Sequence, residues 1–470
     1  MSNLKTDDLS VNNFLERAVE NVYPNKEAFA AALKSGKQLT AYLGIDPTGP
    51  ALHLGHAIAM KKLRQLQDMG HRVILLIGDF TAMIGDPTDK TAVRKKLTRD
   101  QVLENCKNYR EQAGKILDMD GKETGNPVEM KFNGDWHNKL TFADVVELAS
   151  HFTVQQLSER DMFEKRLNFS VRCPKCGNEN IVASAQKIRG MTSNGEDVHG
   201  YISGAINDKS IKCLKCNTLI VYSTEQLIPP QPVYLHEFLY PVMQAYDSVA
   251  MDVDIEIGGN DQTFNMLAGR DLMKAMKGKE KFVLTNKLLT DPEGKKMGKS
   301  EGNMITLEDS PEDMFGKIMS WPDGAIPGGF ELCTDVSGED IDKIVDEMEG
   351  GANPVQFKRR LAREIVTAWH SEAAAKAAEE HFDRLFKQHA APDDMPVHEI
   401  TTRNNKLIDL LVATKLVTSK TEARRQIEQG AVKVDGQPVE DAEATVEIAN
   451  KEMVLQKGKR SFVKIVLKGN

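Results

Sequence analysis

Two short motifs carry side chains that suit a polyphosphate, and the first of them lies early in the chain. His53-Leu54-Gly55-His56 stands between a predicted strand and a predicted helix, where unpaired backbone N–H groups and the helix dipole favour an anion. Two imidazoles at this place can donate hydrogen bonds to phosphate oxygens, and Gly55 lets a flat group approach the backbone closely. The alternative is that both histidines are ordinary polar residues of a helix start.

The second motif is KMGKS, which places Lys296 240 residues after His56 and Lys299 three residues later. Two ammonium groups on a glycine-containing loop can close over a polyphosphate and stabilise the charge that develops on a departing pyrophosphate. A solvated basic turn is the common alternative for such a sequence. The two motifs together, in this order, are more informative than either one alone.

Four of the six cysteines fall in two Cys-x-x-Cys pairs, each able to present two thiolates from one tight turn. These residues are Cys173, Cys176, Cys213 and Cys216. The 36 residues between the pairs exceed the spacer of a compact zinc ribbon, so the intervening segment must form a loop or hairpin of its own. Because the pairs supply a complete tetrahedral ligand set, we expect a structural Zn²⁺, with free or redox-active thiols as the alternative.

The chain around the first motif alternates between strand-like and helix-like segments. A β-like run at residues 39–43 precedes the motif, helical spacing of apolar residues continues to Met69, and HRVILLIGDF is an apolar run typical of a buried parallel strand. The first forty residues are predicted to be helical. The alternation predicts an α/β fold with a Rossmann-like doubly wound parallel sheet, whose ligands lie beyond the carboxyl ends of the strands.

The 470 residues divide into three predicted domains, because a chain of this length exceeds one ordinary core. Residues 1–304 are predicted to form a Rossmann-like catalytic domain, interrupted at residues 169–226 by a zinc-ribbon-like insertion that contains the paired cysteines. Residues 305–395 are predicted to form a helical domain. Residues 400–470 combine two short helices with several short strands, which predicts a small α+β domain.

Composition and charge exclude some classes of protein. With 40% hydrophobic and 28% charged residues and no apolar stretch near the roughly 20 residues of a membrane span, we expect no membrane partner. The first residues lack the pattern of a secretory or organelle signal, so a cytoplasmic location is expected. The net charge is −8, but residues 401–470 carry thirteen Lys and Arg against nine Asp and Glu. That tail is net +4 and the remainder −12, which suits a basic appendage that contacts phosphates.

HLGH and KMGKS are similar to the two signature sequences of the Rossmann-based aminoacyl-tRNA synthetases. Four segments further resemble, in the same order, those of bacterial tyrosyl-tRNA synthetases: YLGIDPTGPALHLGH, IGDFTAMIGDPT, LYPVMQAYD and IGGNDQTFN. The resemblance implies a homodimeric enzyme that activates L-tyrosine with ATP and Mg²⁺ and then transfers the tyrosyl group to tRNA(Tyr).

The resemblance also implies which side chains bind tyrosine. Tyr42 and Asp247 would hold the substrate hydroxyl, and the substrate ammonium would lie among Asp86, Tyr240 and Gln244. A helix places positions 240, 244 and 247 on one face, so that three polar groups can point into a single pocket.

For ATP, the resemblance implies further residues beside Lys296 and Lys299. Those expected at the phosphates and ribose are Thr48, His53, Gly55 and His56, and those on a turn beside the ribose and substrate are Gly258, Asp261 and Gln262. Lys90 and Arg94 match basic residues of a family loop that meets the signature lysines across the pyrophosphate. None of these acts as a nucleophile, because the amino acid's own carboxylate attacks the α-phosphorus, and the enzyme supplies positioning and charge stabilisation.

The carboxyl-terminal stretch resembles the small helix-hairpin RNA-binding module shared by several ribosomal proteins, pseudouridine synthases and bacterial tyrosyl-tRNA synthetases. It would present Lys420, Arg424, Arg425 and Lys433 along one edge, which suits phosphates rather than bases. A solvated basic helix face is the alternative. In this family the preceding helical domain would lie on the anticodon side of the tRNA.

Two other functions remain open on sequence alone. A tryptophanyl-tRNA synthetase shares the fold and both signatures, although the terminal RNA-binding module and the pair of Tyr42 and Asp247 argue against it. A noncatalytic RNA-binding paralogue built on a synthetase scaffold is the other, and the intact histidines and lysines of the two signatures argue against that.

Overall fold

The computed structural model of this chain describes residues 4–86, 97–158, 163, 166–184, 210–223, 226–290, 304–387, 395–439, 441–448, 452–458 and 461–468. Four residues that the sequence predicts at the phosphates lie outside these ranges, namely Lys90, Arg94, Lys296 and Lys299.

The chain divides into two compact units. Unit 1 comprises Met1–Glu308 with Gly324–Gly350, and unit 2 comprises Asp309–Asp323 with Gly351–Asn470. Among the helices of the described ranges, none combines the length and the apolar character that are needed to cross a bilayer.

A mainly parallel sheet forms the centre of unit 1. The described strands of this unit are β1 (Val19–Tyr23), β2 (Thr40–Ile45), β3 (Arg72–Ile77), β4 (Glu129–Phe132), β5 (Asn168–Arg172), β6 (Glu179–Ser184), β7 (Ser210–Lys212), β8 (Leu219–Val221), β9 (Ile255–Gly259) and β10 (Phe282–Asn286). In the described residues, six of them form one sheet in the order β1-β10-β9-β2-β3-β4, where β1 is antiparallel to β10 and the other pairs are parallel. The predicted α/β fold with a parallel sheet is confirmed.

Helices pack against this sheet and also build most of the first half of unit 2. In chain order the described helices are α1 (Asp8–Glu16), α2 (Lys26–Lys34), α3 (Leu54–Asp68), α4 (Thr81–Ile84), α5 (Arg99–Asn105), α6 (Tyr109–Ala113), α7 (Gly134–His137), α8 (Phe142–Ser150), α9 (Val154–Ser158), α10 (Leu235–Met251), α11 (Thr263–Lys277), α12 (Pro311–Met319), α13 (Ile326–Cys333), α14 (Gly338–Glu349), α15 (Pro354–Trp369), α16 (Glu372–Lys387), α17 (Leu407–Ala413) and α18 (Lys420–Glu428). Helix α3 contacts β2, β3 and β9, and α11 contacts α10, β9 and β10.

The sheet grows in two directions from β2, which creates a crevice. Strands β3 and β4 lie on one side of β2, whereas β9 and β10 lie on the other. In open parallel sheets such a reversal leaves a crevice beyond the carboxyl ends of the two adjacent strands, and ligands bind there. In this chain the crevice lies where Asp46 follows β2 and where the turn Asn260–Gln262 follows β9.

The helical prediction for the first forty residues is wrong at one segment. Helices α1 and α2 are present, but Val19–Tyr23 form β1, which pairs antiparallel with β10 at the edge of the sheet. Ala18 has a φ of 58°, a left-handed value that interrupts a helical path. The strand forms because β10 offers an edge to pair with, which is a long-range contact that local periodicity does not encode.

Unit 2 contains helices α12, α15 and α16 and a small carboxyl-terminal α+β region. The strands of this region are β11 (Val397–Ile400), β12 (Asn404–Lys406), β13 (Val432–Val434), β14 (Gln437–Pro438), β15 (Thr445–Glu447), β16 (Glu452–Lys457) and β17 (Ser461–Leu467). In the described residues five of them form a sheet in the order β11-β17-β16-β13-β14, and β12 pairs with β15. Helices α17 and α18 share an apolar core with this sheet, which includes Leu411, Ile427 and Leu455.

Candidate active site

A buried tyrosine in β2 begins the candidate site. The side chain of Tyr42 is 1% exposed, and its hydroxyl lies 3.1 Å from Ser248 Oγ of α10. Burial, together with the charges of Glu256 and Asp247, raises the pKa of the Tyr42 phenol well above its ordinary value. Tyr42 therefore keeps its proton and can donate a hydrogen bond.

Three donors hold the buried carboxylate of Asp247. Trp136 Nε1 donates to Oδ1 at 2.8 Å, His137 Nε2 lies 2.7 Å from the same oxygen, and Asn133 Nδ2 donates to Oδ2 at 3.2 Å. Burial raises the pKa of Asp247, and the hydrogen bonds and charge of His137 act in the opposite direction. The donors come from α7 and the residue before it, so this short helix orients the carboxylate.

A second carboxylate, that of the partly buried Asp46, follows β2 directly. Its Oδ2 accepts a hydrogen bond from the Tyr240 hydroxyl at 2.9 Å, and its Oδ1 accepts one from Thr81 Oγ1 at 2.7 Å. Burial raises the pKa of Asp46 to about 7, and the nearby charges of Asp86 and Asp247 contribute to this rise. A side chain at Gly78 would place its Cβ 1.9 Å from Asp46 Oδ1, so the close approach requires glycine there.

The amide of Asn265 joins three other polar residues of the site. Its Nδ2 donates to Gln244 Oε1 and to Gln262 Oε1, each at 2.9 Å. Gln262 Nε2 in turn donates to Asp86 Oδ2 at 2.7 Å. Asn265 is buried in the first turn of α11, so this helix fixes both glutamines and, through Gln262, Asp86.

The five residues expected to bind tyrosine, together with Gln262, thus lie in two adjoining hydrogen-bonded clusters. They are Tyr42, Asp86, Tyr240, Gln244, Asp247 and Gln262. Helix α10 contributes three of them at a helical spacing, as the sequence predicts. Asp46 links Tyr240 to Asp247, because Asp46 bonds both Tyr240 and Thr81, and Asn133 bonds both Thr81 and Asp247.

The HLGH motif lies at the amino terminus of α3. His53 is the residue that caps the helix, and His56 stands in its first turn. The two imidazole rings stack with their centroids 3.8 Å apart, and the backbone N–H of His53 donates to His56 Nδ1 at 3.3 Å. A Cβ on Gly55 would lie 2.9 Å from His53 Cε1, so a larger residue would displace that ring. The motif therefore presents two adjacent imidazoles at a helix end that favours anions.

The residues that follow the KMGKS motif are anchored beside HLGH. Leu54 N donates to Ile305 O at 3.1 Å, Leu307 N donates to Leu52 O at 2.9 Å, and His53 forms an isolated β-bridge with Thr306. Lys299 lies six residues before Ile305, a stretch of chain that can span at most about 21 Å. The chain that follows the second motif is thus fixed beside the first motif from Ile305 onward, and the lysines of the second motif lie outside the described residues.

The remaining residues predicted near ATP lie after β2, at the end of β9 and on the turn after β9. Thr48 N donates to Asp46 O at 2.8 Å. A Cβ on Gly258 would lie 2.8 Å from Met266 Sδ, and one on the neighbouring glycine would lie 2.5 Å from Asp261 Oδ1. A larger residue at either glycine at the end of β9 would therefore displace the Met266 or the Asp261 side chain, and Asp261 and Gln262 stand on the turn that follows.

The four paired cysteines converge on one point in unit 1. Their sulfur atoms all lie within 4.8 Å of one another, with Cys173 Sγ 3.6 Å from Cys216 Sγ and Cys176 Sγ 3.5 Å from Cys213 Sγ. A tetrahedral zinc with Zn–S bonds of about 2.3 Å requires sulfurs about 3.8 Å apart, whereas a disulfide requires about 2.05 Å. The geometry therefore fits a tetrahedral metal site and does not fit disulfide bonds.

Two matching turns hold these sulfurs. Cys173 N donates to Asn178 O at 2.8 Å and Gly177 N donates to Cys173 O at 2.9 Å in the turn between β5 and β6. The turn between β7 and β8 contains the two equivalent hydrogen bonds, which Cys213 N and Asn217 N donate, each at 2.9 Å. Gly177 and Asn217 both have a positive φ, which such a turn requires and which glycine and asparagine tolerate best.

The basic residues predicted to bind RNA lie in the carboxyl-terminal region of unit 2. Lys420 and Arg424 stand one turn apart on α18, and each contacts a carboxylate, Asp409 at 2.7 Å and Glu443 respectively. Arg425 is exposed on the same helix, and Lys433 is half-buried in β13. Exposed ion pairs of this kind contribute little to stability, so phosphate oxygens can replace the carboxylates at small cost.

Several residues of the site were not predicted from the sequence. They are Asp46, Thr81, Asn133, Trp136, His137, Ser248, Glu256, Asn265 and Lys281. A signal existed for two of them, because Glu256 and Lys281 are charged residues in apolar strand segments, where an unpaired charge would be costly. Asp46 stands within the DPTGPALHLGH segment. Trp136 and His137 carry no comparable local signal.

Comparison with known proteins identifies relatives of this chain. Residues 34–175 and 209–387 match the family described as class I tRNA synthetases (W and Y), and residues 386–465 match the tyrosine–tRNA ligase SYY-like C-terminal domain. The chain is 40% identical over 453 residues to the tyrosine–tRNA ligase of Thermotoga maritima, which covers 96% of each chain. It is 38% identical over 455 residues to that of Haemophilus ducreyi, which covers 97% of each.

Solved structures share the fold at lower identity. A C-terminally truncated Aspergillus nidulans mitochondrial tyrosyl-tRNA synthetase superposes with a TM-score of 0.54 at 19% identity, covering 80% of this chain and 94% of that one. An Archaeoglobus fulgidus tyrosyl-tRNA synthetase complexed with L-tyrosine has a TM-score of 0.52 at 16% identity, covering 79% and 99%. With both signature motifs, both family matches and relatives that align over nearly the full length, the chain belongs to the tyrosine–tRNA ligase family of class I tRNA synthetases.

Proposed function

We propose that this ligase binds L-tyrosine in the crevice between β2 and β9, with the phenol hydroxyl between Tyr42 and Asp247 and the ammonium among Asp46, Asp86 and Gln244. The observation that carries the proposal is that α10 supplies polar groups for both ends of one amino acid. Tyr240, which bonds Asp46, and Asp247 stand seven residues apart, or about 10 Å along the helix. That distance accommodates a tyrosine with a hydrogen-bonding group at each end.

The phenol end of this pocket favours a hydroxyl over a hydrogen atom. Asp247 is a buried acceptor held by three donors, and Tyr42 is a buried donor. A tyrosine hydroxyl can donate to the first and accept from the second. Phenylalanine would leave one acceptor position of Asp247 and the hydroxyl hydrogen of Tyr42 without a partner on the substrate, which is the reason that such pockets reject the analogue lacking a hydroxyl.

The ammonium end offers carboxylates in a buried setting. Burial holds the pKa of Asp46 near 7 in the absence of substrate. An ammonium placed beside Asp46 and Asp86 would favour the charged forms of both, since an opposite charge within a few ångströms lowers the pKa of a carboxyl group. Gln244 and Gln262 stand at the same end of the pocket, and each amide oxygen accepts from Asn265 and keeps a second lone pair for another donor.

Activation joins the tyrosine carboxylate to the α-phosphorus of ATP and releases pyrophosphate, and transfer then moves the tyrosyl group to the tRNA with release of AMP. His53 and His56, at the start of α3, would hold ATP phosphates, and the two lysines of KMGKS would stabilise the departing pyrophosphate. Mg²⁺ bound to the polyphosphate supplies further charge neutralisation. Among the described residues the four cysteines are the one metal-ligating cluster, so phosphate oxygens are the expected main ligands of Mg²⁺.

The test of this function is ATP–pyrophosphate exchange with each of the twenty amino acids. Tyrosine should support exchange, and phenylalanine should be used far less well. Preference for tryptophan would contradict the pocket assignment and favour a tryptophanyl-tRNA synthetase. Absence of exchange with every amino acid would favour a noncatalytic RNA-binding paralogue.

The cysteine cluster is proposed to hold one structural Zn²⁺. Four thiolates at tetrahedral spacing complete the coordination of zinc and leave no open position for substrate, which is the pattern of a structural site. The metal would join the β5–β6 hairpin to the β7–β8 hairpin, whose shared apolar core is small and includes Phe169, Ile220 and Tyr222. A small core of this kind needs a metal or another cross-link for stability.

Protein purified without chelators is expected to contain about one zinc per chain. Replacing Cys216 by serine should remove most of the metal and make residues 169–226 sensitive to protease, while much of the tyrosine-dependent exchange persists. Elemental analysis and limited proteolysis measure both effects. Cys106→Ser is the matched control, because Cys106 lies outside the cluster and its replacement should leave the metal content unchanged. A wild-type protein that contains no metal would contradict the proposal.

The carboxyl-terminal region is proposed to bind the phosphate backbone of tRNA(Tyr). Its basic side chains on α18 and β13 suit phosphates, and backbone contacts of this kind supply affinity that depends on salt. Activation of tyrosine requires the crevice of unit 1 and does not require these residues.

Deletion of residues 400–470 is therefore expected to spare tyrosine-dependent exchange and to reduce tRNA charging strongly. In the full-length chain, the double variant Arg424→Ala and Arg425→Ala should weaken tRNA binding and lower the slope of log affinity against log salt by about 0.7 to 0.9 per lost contact. Binding assays at several salt concentrations measure the slope. Unchanged charging by the truncated protein would show that the region is dispensable.

A homodimer is proposed from the family resemblance, and an exposed apolar face of unit 1 supports it. Phe142 and Val146 stand one turn apart on α8 and are 84% and 53% exposed. Exposed aromatic and aliphatic side chains that cluster on one face are typical of a surface that a partner covers. Light scattering should report twice the mass of one chain.

A further inference from the structure

A fully buried ion pair lies against the proposed tyrosine pocket. Lys281 is 0% exposed and Glu256 is 3% exposed, and the two side chains form a salt bridge between the residue before β10 and strand β9. Taking two charges out of water costs several kcal/mol per ion, and an apolar pair of the same volume is often at least as stable. Stability alone is therefore a weak reason for this pair.

Helix α11 is shaped around the ammonium of Lys281. A Cβ on Gly269 would lie 2.6 Å from Lys281 Nζ and 3.0 Å from Ser248 Oγ. Alanine at this position would therefore displace the ammonium or the hydroxyl. Burial lowers the pKa of Lys281, and the adjacent charge of Glu256 opposes that shift, so the carboxylate helps to keep the lysine charged.

The pair contacts both ends of the proposed tyrosine pocket through one residue each. Lys281 Nζ lies 2.8 Å from Ser248 Oγ, and Ser248 Oγ lies 3.1 Å from the Tyr42 hydroxyl. At the other end, Gln244 Nε2 donates to Glu256 Oε1 at 3.2 Å. The buried charges are thus linked to the residue proposed for the substrate hydroxyl and to one proposed for the substrate ammonium.

The chemistry of an ammonium fixes the direction of the first two hydrogen bonds. Lysine has three donors and no acceptor, so Ser248 Oγ must accept from Lys281. The single hydroxyl hydrogen of Ser248 can then reach Tyr42 at 3.1 Å or Glu256 Oε2 at 3.5 Å. Glu256 Oε2 already accepts from Lys281, and the shorter contact is the one to Tyr42. Ser248 therefore donates to Tyr42. The phenolic hydrogen of Tyr42 then has two acceptors within reach, the Glu256 carboxylate, which Lys281 neutralises, and the oxygen of a substrate hydroxyl.

We propose that Lys281 and Ser248 are positioning residues that orient Tyr42 as a hydrogen-bond donor toward the substrate hydroxyl. The inference rests on the proposed binding of tyrosine. The hydrogen bonds would then form a series. Lys281 donates to Ser248, Ser248 donates to Tyr42, Tyr42 donates to the substrate oxygen, and the substrate hydroxyl donates to Asp247. With phenylalanine bound, the oriented hydrogen of Tyr42 has no acceptor on the substrate. The orientation of Tyr42 therefore increases discrimination between tyrosine and phenylalanine.

A double-mutant cycle on the full-length protein tests this inference. The ratio of kcat/KM for tyrosine to that for phenylalanine is measured by ATP–pyrophosphate exchange in the wild type, Ser248→Ala, Tyr42→Phe and the double variant. Ser248→Ala and Tyr42→Phe should each lower the ratio about twofold to tenfold, the range for one neutral hydrogen bond. The double variant should show no loss beyond that of Tyr42→Phe, because Ser248 acts through the Tyr42 hydroxyl.

Two further variants distinguish a positioning role of Ser248 from a general loss of protein stability. Ser150→Ala is the matched control, because the Ser150 hydroxyl bonds a backbone carbonyl at the end of α8, and its ratio should equal that of the wild type. The paired replacement of Lys281 by methionine and Glu256 by glutamine removes the ammonium without leaving a buried charge, and it should lower the ratio as Ser248→Ala does.

The outcomes distinguish the inference from the function on which it rests. If the wild type does not prefer tyrosine, the proposed function fails. If the wild type prefers tyrosine and Ser248→Ala keeps the wild-type ratio, the positioning role alone is overturned. A Ser248→Ala effect of equal size in the Tyr42→Phe background would overturn it as well, because the serine would then act by another route.

Discussion

Replacing Asp247 by asparagine is expected to lower kcat/KM for tyrosine by about 10- to 150-fold. A hydrogen bond to a charged group contributes about 1.5 to 3 kcal/mol, and each 1.4 kcal/mol corresponds to a factor of ten. The proposed site gives Asp247 the role of accepting the hydrogen of the substrate hydroxyl. The substitution keeps the shape of the side chain and removes its charge and one of its two acceptors.

The surrounding donors make this substitution more damaging than a simple loss of charge. Trp136 and His137 both approach Oδ1 of Asp247, so the oxygen of an asparagine would turn to that side. The amide nitrogen would then face Asn133 Nδ2, which is also a donor, and the substrate hydroxyl. A donor would stand where the substrate requires an acceptor, and the substrate hydrogen would lose its partner.

The control for this prediction is Asp252→Asn, the same chemical change at the end of the same helix. Asp252 caps α10, and its side chain is 58% exposed. Exchange kinetics should be near those of the wild type, since exposed pairs contribute little. Thermal unfolding of both variants separates lost binding from lost folding. If Asp247→Asn has the same tyrosine kinetics as Asp252→Asn, Asp247 does not bind the substrate.

Replacing Lys296 or Lys299 by alanine is expected to lower kcat for tyrosine-dependent exchange by about 10²- to 10³-fold, with little change in tyrosine KM. This is the range for loss of one preorganised group that stabilises charge in a transition state. The charge of the departing pyrophosphate develops during the reaction, so a lysine that meets it acts on the chemical step more than on tyrosine binding. Ile305 and Leu307, which follow the lysine motif in the chain, bond residues of the HLGH segment and its neighbour Leu52.

Lys274→Ala is a suitable comparison for these variants. Lys274 is exposed in the last turn of α11, so its loss changes the net charge by the same amount without removing a proposed phosphate contact. Its kcat should stay near the wild-type value. If Lys296→Ala and Lys299→Ala instead raise tyrosine KM while kcat is unchanged, the lysines bind the amino acid and the role assigned here is wrong.

The features that the sequence predicts well are those that depend on neighbouring residues. The alternation of β2, α3 and β3 follows from apolar periodicity, and HLGH lies at the predicted helix start because its position between strand and helix is local. The spacing of Tyr240, Gln244 and Asp247 places them on one face of α10, because helical geometry alone relates them. The cysteine turns could be predicted for the same reason, since four residues build each one.

The features that were missed join residues far apart in the chain. Asp247 receives its donors from residues more than 100 positions earlier, and Gln262 bonds Asp86 across 176 positions. No local pattern specifies which partner a polar group finds, because that depends on how the elements pack. The same reason explains β1, whose strand conformation exists only beside β10.

By itself the sequence determined the class of chemistry, through two motifs suited to a polyphosphate, and the family, through segments that resemble known synthetases. The tertiary structure decided how the amino-acid pocket is built. Packing buried Asp247, Glu256 and Lys281, and desolvation raises the pKa values of Asp46 and Asp247 and lowers that of Lys281. Desolvation and hydrogen-bond direction are properties of the assembled site, because they depend on distances between elements that no single segment of the chain contains.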